Sequence, residues 1–156
     1  LADTYQMLGR FEEASSMQRD VYSGRLKLNG EESEATLIAA SNYAGSLKNL
    51  DRFEEAKALL RRTVPVARRV LGDCNELTLR MRWSYARALF MDDAATLGDL
   101  REAVTTLEDA ERIARRVLGG AHPVTEWLRR SLRNARAALR ARESPPDELD
   151  EVEDAD

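Results

Sequence analysis

The sequence predicts an all-α protein built from repeated helix pairs, and two observations carry that prediction. The segment Arg52–Gly72 is partly copied twice. Its front end, Arg-Phe-Glu-Glu-Ala, also stands at 10–14, and its back end, Ala-Arg-Arg-Val-Leu-Gly, also stands at 114–119. Ala, Leu, Arg and Glu dominate and only 6% of residues are aromatic, so strands have little to be built from. The copies lie 42 and 47 residues apart. Copies at this spacing indicate a repeat array, which is typical of binding scaffolds.

Apolar residues at helical spacing, and the turn residues between them, place the helices. Seven are expected, over residues 1–9, 10–29, 33–50, 53–71, 77–90, 100–118 and 123–143. The first is expected to end near Gly9, and Val70 and Val117 are expected to face inward. Pro65 lies inside the fourth helix, where we expect a kink rather than a break because helical spacing resumes directly after it. A longer turn at 91–99 explains why the copies are 42 residues apart first and 47 residues apart later.

Charge is unevenly distributed along the chain. The net charge is -4, but residues 147–156 hold seven acids and no basic residue. Residues 1–144 therefore carry 24 basic and 21 acidic residues, a formal charge of +3. We expect a mildly basic folded part followed by an acidic disordered tail over 144–156.

Composition also bears on compartment and chemistry. No apolar run approaches the roughly 20 residues that cross a bilayer, and no leader opens the chain, so we expect a cytoplasmic protein without a membrane partner. Cys74 and His122 are the single cysteine and the single histidine. They predict neither a metal site nor a catalytic pair, and we expect no enzyme and no cofactor. Leu1 falls inside a repeat, which predicts a fragment of a longer array.

The repeat motifs are concentrated in four stretches: Asn42–Ala44, Arg52–Ala56, Val70–Asp73, and Ala114–Gly119 with the following His-Pro pair. Together they resemble the tetratricopeptide repeat (TPR), and more narrowly its kinesin light chain-like form. The resemblance implies a right-handed α-α superhelix, a TPR solenoid of about seven antiparallel helices. It divides the chain into a half repeat 1–30, repeats 31–73 and 74–120, and a capping helix 121–143. It also implies small residues where the helices cross, at Ala2, Ala14, Ala44, Ala56, Ala86 and Ala103.

The same resemblance implies that the first helix of each repeat lines a concave groove that holds an extended peptide. In the family an asparagine of this helix often bonds the ligand backbone, and Asn42 matches that position. Ser84 and Ser131 stand at the equivalent places in later repeats. The predicted peptide-binding residues are Asn42, Lys48, Asn49, Arg80, Trp83, Ser84, Arg87, Arg130, Ser131 and Asn134, with Ser41, Gly45, Phe90, Met91 and Trp127 on the same side.

Each of these side chains also has a plain structural interpretation. The four basic residues of the predicted groove would favour an acidic peptide, or they are solvated helix residues that pair with neighbouring acids. Trp83 and Trp127 are either aromatic anchors for a ligand or parts of the core. Paired arginines on the second helices indicate a solvated outer face rather than a nucleic-acid partner.

The sequence and its resemblance therefore predict a non-catalytic protein-protein interaction scaffold, the C-terminal part of a kinesin light chain-like TPR array that binds an extended acidic peptide in its concave groove. The alternative is a structural or regulatory repeat block that packs against other domains of a larger signalling protein. The acidic stretch 149–154 is either a tethered competitor for the groove or a solubilising end.

Overall fold

The computed structural model describes residues 2–144, with side chains from Met7 onward. In that range the chain forms six α-helices and no strand. They are α1 (Ala2–Asn29), α2 (Glu34–Asn49), α3 (Phe53–Leu71), α4 (Glu76–Phe90), α5 (Leu97–Val117) and α6 (Pro123–Glu143). The all-α class is thereby confirmed. The limits of the predicted repeats stay predictions, and tail residues 145–156 lie outside the described residues.

Each helix packs against the next one along the chain, which gives a stack of antiparallel neighbours. Helix α4 also contacts both α2 and α6, whereas the described residues of α3 and α5 share no close contact. The stack must therefore curve so that α2, α4 and α6 lie on its inner side. These are the helices that the sequence assigns to a concave groove.

Alanines lie where the helices cross, as expected for close-packed helix pairs. Ala44 and Ala86 in the inner helices, and Ala56 and Ala103 in the outer ones, are completely buried. Small side chains at a crossing let helix axes approach to roughly 8–10 Å. Ala14 is exposed instead, because α1 contacts only α2 among the described helices.

Helix α1 does not end near Gly9, so the prediction of a turn there is wrong and the described helices number six. An isolated glycine costs a helix only about 1 kcal/mol, which does not by itself force a turn. At the other repeat turns the chain folds back onto a neighbouring helix. The described residues offer no such neighbour to the first turns of α1, and Met7 and Leu8 remain exposed.

Two residues expected to face inward lie instead at the surface. Val70 is 40% exposed and Val117 is 45% exposed. In each case the following leucine, Leu71 or Leu118, packs against the core. The last helical turn can bury only one of two adjacent side chains, because neighbours on a helix point about 100° apart.

Pro65 does not break α3, which is continuous from Phe53 to Leu71 as predicted. A proline inside a helix leaves the carbonyl of the residue four positions earlier, here Arg61, without its usual donor. Both Arg61 and Pro65 are exposed, so water can reach that side of the helix.

The longer turn between α4 and α5 is fixed at both ends. Thr96 and Asp99 form a capping box, so α5 begins at Leu97 rather than at the predicted Leu100. The ammonium of Lys57 on α3, which is 5% exposed, pairs with Asp92. On the other side, the guanidinium of Arg142 donates to the carbonyl of Ala95.

One buried threonine recurs in each inner helix, at Thr36, Thr78 and Thr125. The Thr78 hydroxyl donates to the carbonyl of Ala67 at 3.4 Å. Within the described residues the hydroxyls of Thr36 and Thr125 have no hydrogen-bond partner. An unpaired buried hydroxyl costs about 1–3 kcal/mol of stability.

We predict that valine, which has nearly the same shape, is better tolerated at two of these sites than at the third. Thr36→Val and Thr125→Val should each raise the free energy of unfolding by about 1 kcal/mol, because an unpaired hydroxyl is removed. Thr78→Val should lower it by about 0.5–1.5 kcal/mol, because a hydrogen bond is lost. Urea unfolding followed by circular dichroism measures all three. Equal effects at the three positions would contradict the assignment.

Candidate functional site

Trp83 on α4 is the centre of a cluster on the concave side. The Lys48 ammonium of α2 lies 5.1 Å from the centroid of the indole, and the Arg87 guanidinium carbon lies 4.9 Å from it. Trp127 of α6 stacks on the same indole, with centroids 5.3 Å apart and planes 29° apart. The indole N–H donates to the hydroxyl of Ser131 at 2.8 Å. Three helices thus meet at one aromatic side chain.

The two cations of this cluster have no carboxylate partner within the part of the chain that the structure describes. Among the described residues, neither Lys48 nor Arg87 forms an ion pair. Burial, together with repulsion from Arg87, lowers the pKa of Lys48 to about 8. Burial also lowers the pKa of Arg87. The face of Trp83 offers both cations a cation–π contact, which compensates them only in part.

A second feature of the concave side is a cavity of about 380 Å³ between α2 and α4. Asn42 and Arg80, both predicted groove residues, are exposed and line it together. The remaining lining residues are Glu34, Ile38, Ser41, Asn75, Glu76 and Leu77. Ile38 supplies an exposed apolar side chain that the sequence interpretation did not single out. Its place one helical turn before Asn42 was the available signal.

The other predicted groove residues separate into exposed and buried sets. Asn49, Arg130 and Asn134 are exposed. Ser84 is only 4% exposed and Ser131 only 6%. Both serines therefore offer little surface to a ligand. The Ser131 hydroxyl, in addition, already accepts a hydrogen bond from the Trp83 indole.

The tryptophans divide between the two interpretations left open by the sequence. Trp83 is partly buried and packs against the core, while Trp127 is 38% exposed. Trp83 therefore contacts the core on one side and the other members of the cluster on the other, whereas Trp127 is partly exposed at the surface.

A cleft elsewhere on the molecule provides a contrast. It has a volume of about 480 Å³ and lies between α5 and α6. Its arginines already have acidic partners: Arg112 pairs with Asp109, Arg115 with Glu111, and Arg136 with Glu108. An acidic ligand would have to displace these partners, whereas in the Trp83 cluster it would meet free cations.

Three other features that residues 2–144 could contain are a metal site, a free histidine and a membrane-spanning helix. No three His, Cys, Asp or Glu side chains converge there in a way that could hold a metal ion. The His122 ring accepts a hydrogen bond from the backbone N–H of Val124 and caps α6, so it has a structural role. Among the helices described, none combines the length and the apolar character required to span a membrane.

Comparisons with known proteins agree with this architecture. The tetratricopeptide repeat model matches residues 1–35 and 36–73. Two similar solved structures show nearly identical TPR-like repeats of a kinesin light chain from Podosopora anserina, one of them a variant. Both are 25% identical to this chain, with TM-scores of 0.76 and 0.75. The alignments cover 88% of this chain and 63% of those chains. No curated protein matches the sequence.

We predict that Lys48→Met stabilises the protein at pH 7 and that its advantage disappears at high pH. The pKa of Lys48 is about 8 when folded, against an ordinary value of 10.5. Between these values the unfolded chain binds more protons, so the wild type gains stability as pH rises through this window. Methionine keeps the apolar stem without the buried charge, and we expect an advantage of about 1–3 kcal/mol below pH 8.

The measurement is urea unfolding at pH 7, 8.5 and 10, reported as variant minus wild type. Lys27→Met, at an exposed lysine of α1, is the matched control. A Lys48→Met difference that stays constant with pH would show that the ammonium is not destabilised in the fold.

Proposed function

We propose that this chain, a tetratricopeptide-repeat protein of the kinesin light chain-like type, binds an extended acidic peptide of another protein and has no catalytic role. The peptide would lie on the concave side formed by α2, α4 and α6. The observation that carries the proposal is the pair Lys48 and Arg87, which share one indole and lack an acidic partner among the described residues.

The charge pattern supports an acidic ligand. Cations held out of water without counterions attract anionic groups, and a ligand carboxylate gains more there than at a solvated lysine. The exposed Arg130 adds a further positive charge on α6, whereas Arg80 shares its cavity with Glu34 and Glu76 and adds little net charge there. In the cleft between α5 and α6, by contrast, neighbouring acids already neutralise the arginines.

The geometry supports an extended peptide. Three neighbouring helices about 8–10 Å apart span roughly 20 Å, which an extended chain covers in about six residues. Asn42 and Arg80 lie at the cavity between the first two of these helices, and Trp127 lies on the third. A peptide along this path would meet polar groups first, the two cations next and an exposed aromatic ring last.

A second candidate function is a regulatory block that packs against other domains. The observation in its favour is a group of exposed apolar side chains on α1: Met7, Leu8, Phe11, Met17 and Val21. Such a surface is suited to burial against another protein domain. The chain spans 63% of the length of the solved structures that it resembles.

We also place the protein in the cytoplasm and assign the acidic stretch 149–154 a competing role. A tethered segment reaches a local concentration in the millimolar range, enough to mask a weak ligand. This stretch lies outside the described residues, so the assignment depends on its sequence alone.

We predict that labelled acidic peptides bind residues 1–156 in a salt-sensitive manner, as measured by fluorescence anisotropy. Arg87→Glu should weaken binding by about tenfold or more, because it places a like charge beside the ligand. Arg116→Glu, an equal charge change at an exposed residue of the outer helix α5, is the control and should change affinity little. Removal of residues 145–156 should strengthen binding if the tail competes. Equal losses in both variants, or no binding at all, would argue for the second candidate.

A further inference from the structure

We propose that the ligand residue seated between Lys48 and Arg87 is a phosphoserine or phosphothreonine rather than an aspartate or glutamate. This inference rests on the proposed function and specifies which chemical group the groove selects. Its basis is the number, position and burial of the two cations around Trp83.

The two cations lie beside the same indole, so a group placed midway between them would be within about 5 Å of each charge. Each lies about 5 Å from the same ring centroid, so the two charges are no more than about 10 Å apart. Their side chains are partly buried, and they approach from different helices, α2 and α4. A tetrahedral phosphoryl group presents three acceptor oxygens in different directions and can accept from both.

Charge balance favours the phosphoryl group. A carboxylate carries one negative charge and would leave one partly buried cation uncompensated. A phosphoserine carries about -1.5 to -2 at pH 7, which matches two cations. Burial, and to a smaller extent repulsion from Arg87, lowers the pKa of Lys48, so its positive charge is disfavoured in the fold, and a dianion would offset the repulsion from Arg87.

Elsewhere among the described residues, single carboxylates do pair with two arginines, and their surroundings explain why these cases differ. Glu111 pairs with Arg115 and Arg129, whose side chains are 61% and 36% exposed. Asp109 accepts from both Arg82 and Arg112. The Arg112 side chain is 74% exposed, so water compensates the charge that a single carboxylate cannot. Lys48 and Arg87 are both partly buried and lack that compensation.

The test uses three labelled peptide libraries that differ only at a fixed central residue, which is Ser, phosphoserine or Glu. Four degenerate positions flank it on each side, so no flanking sequence is assumed. We expect the phosphoserine library to bind the full chain about tenfold more tightly than the Glu library, because dianionic charge-assisted hydrogen bonds are stronger. Lys48→Met and Arg87→Gln should each reduce this preference to about twofold or less. Arg116→Gln should leave it unchanged.

The outcomes separate the inference from the proposed function. Equal binding of the Glu and phosphoserine libraries would leave peptide binding intact and overturn the inference. A phosphoserine preference that survives Lys48→Met and Arg87→Gln would also overturn it, because the group would then bind elsewhere. No binding by any library would count against the proposed function itself. Inorganic phosphate should displace the library much less well than unlabelled phosphopeptide, and equal displacement would assign the site to a free anion.

Discussion

Direct contact between the inner helices is the constraint on which the other features depend. The fully buried Ala44 of α2 and Ala86 of α4 let these helices pack closely against their neighbours. Helix α4 contacts both α2 and α6. The outer helices α3 and α5 share no such contact in the described part of the chain. This difference sets the curvature, and the curvature brings side chains of three helices to Trp83. Without it, Lys48 and Trp127 would have no common neighbour.

Two regions of the stack differ in how their charges are compensated. In the cleft between α5 and α6, arginines and acids pair with each other, as Arg136 of α6 does with Glu108 of α5. Exposed pairs of this kind contribute only about 0–1 kcal/mol each, so their main effect is to leave the cleft without a net field. On the inner face, Lys48 and Arg87 rest on an aromatic ring instead. The burial of these two charges destabilises the fold slightly, and an anionic ligand bound there would offset that cost.

Much of the fold follows from periodicity, because helical spacing and turn residues are local signals. The bounds of α3 and its continuity through Pro65 match the sequence prediction. The errors have two causes: one depends on contacts between distant residues, and the other on a local capping pair that the spacing of apolar residues does not reveal. Gly9 stays helical because the described residues provide no neighbour to fold back on, and α5 starts early because Thr96 and Asp99 cap each other. The resemblance predicted that Trp83 and Ser131 face the groove, but it did not predict that the Trp83 indole would donate a hydrogen bond to Ser131 across two inner helices.

The Trp83–Trp127 stack also has a spectroscopic consequence. These are the only two tryptophans in the chain, and they stack on each other within the predicted groove. When the tryptophans are excited selectively over the four tyrosines, the emission therefore originates at this stack in the predicted groove. The chain carries its own optical reporter, and an unlabelled ligand that displaces either cation from the ring would change that emission directly.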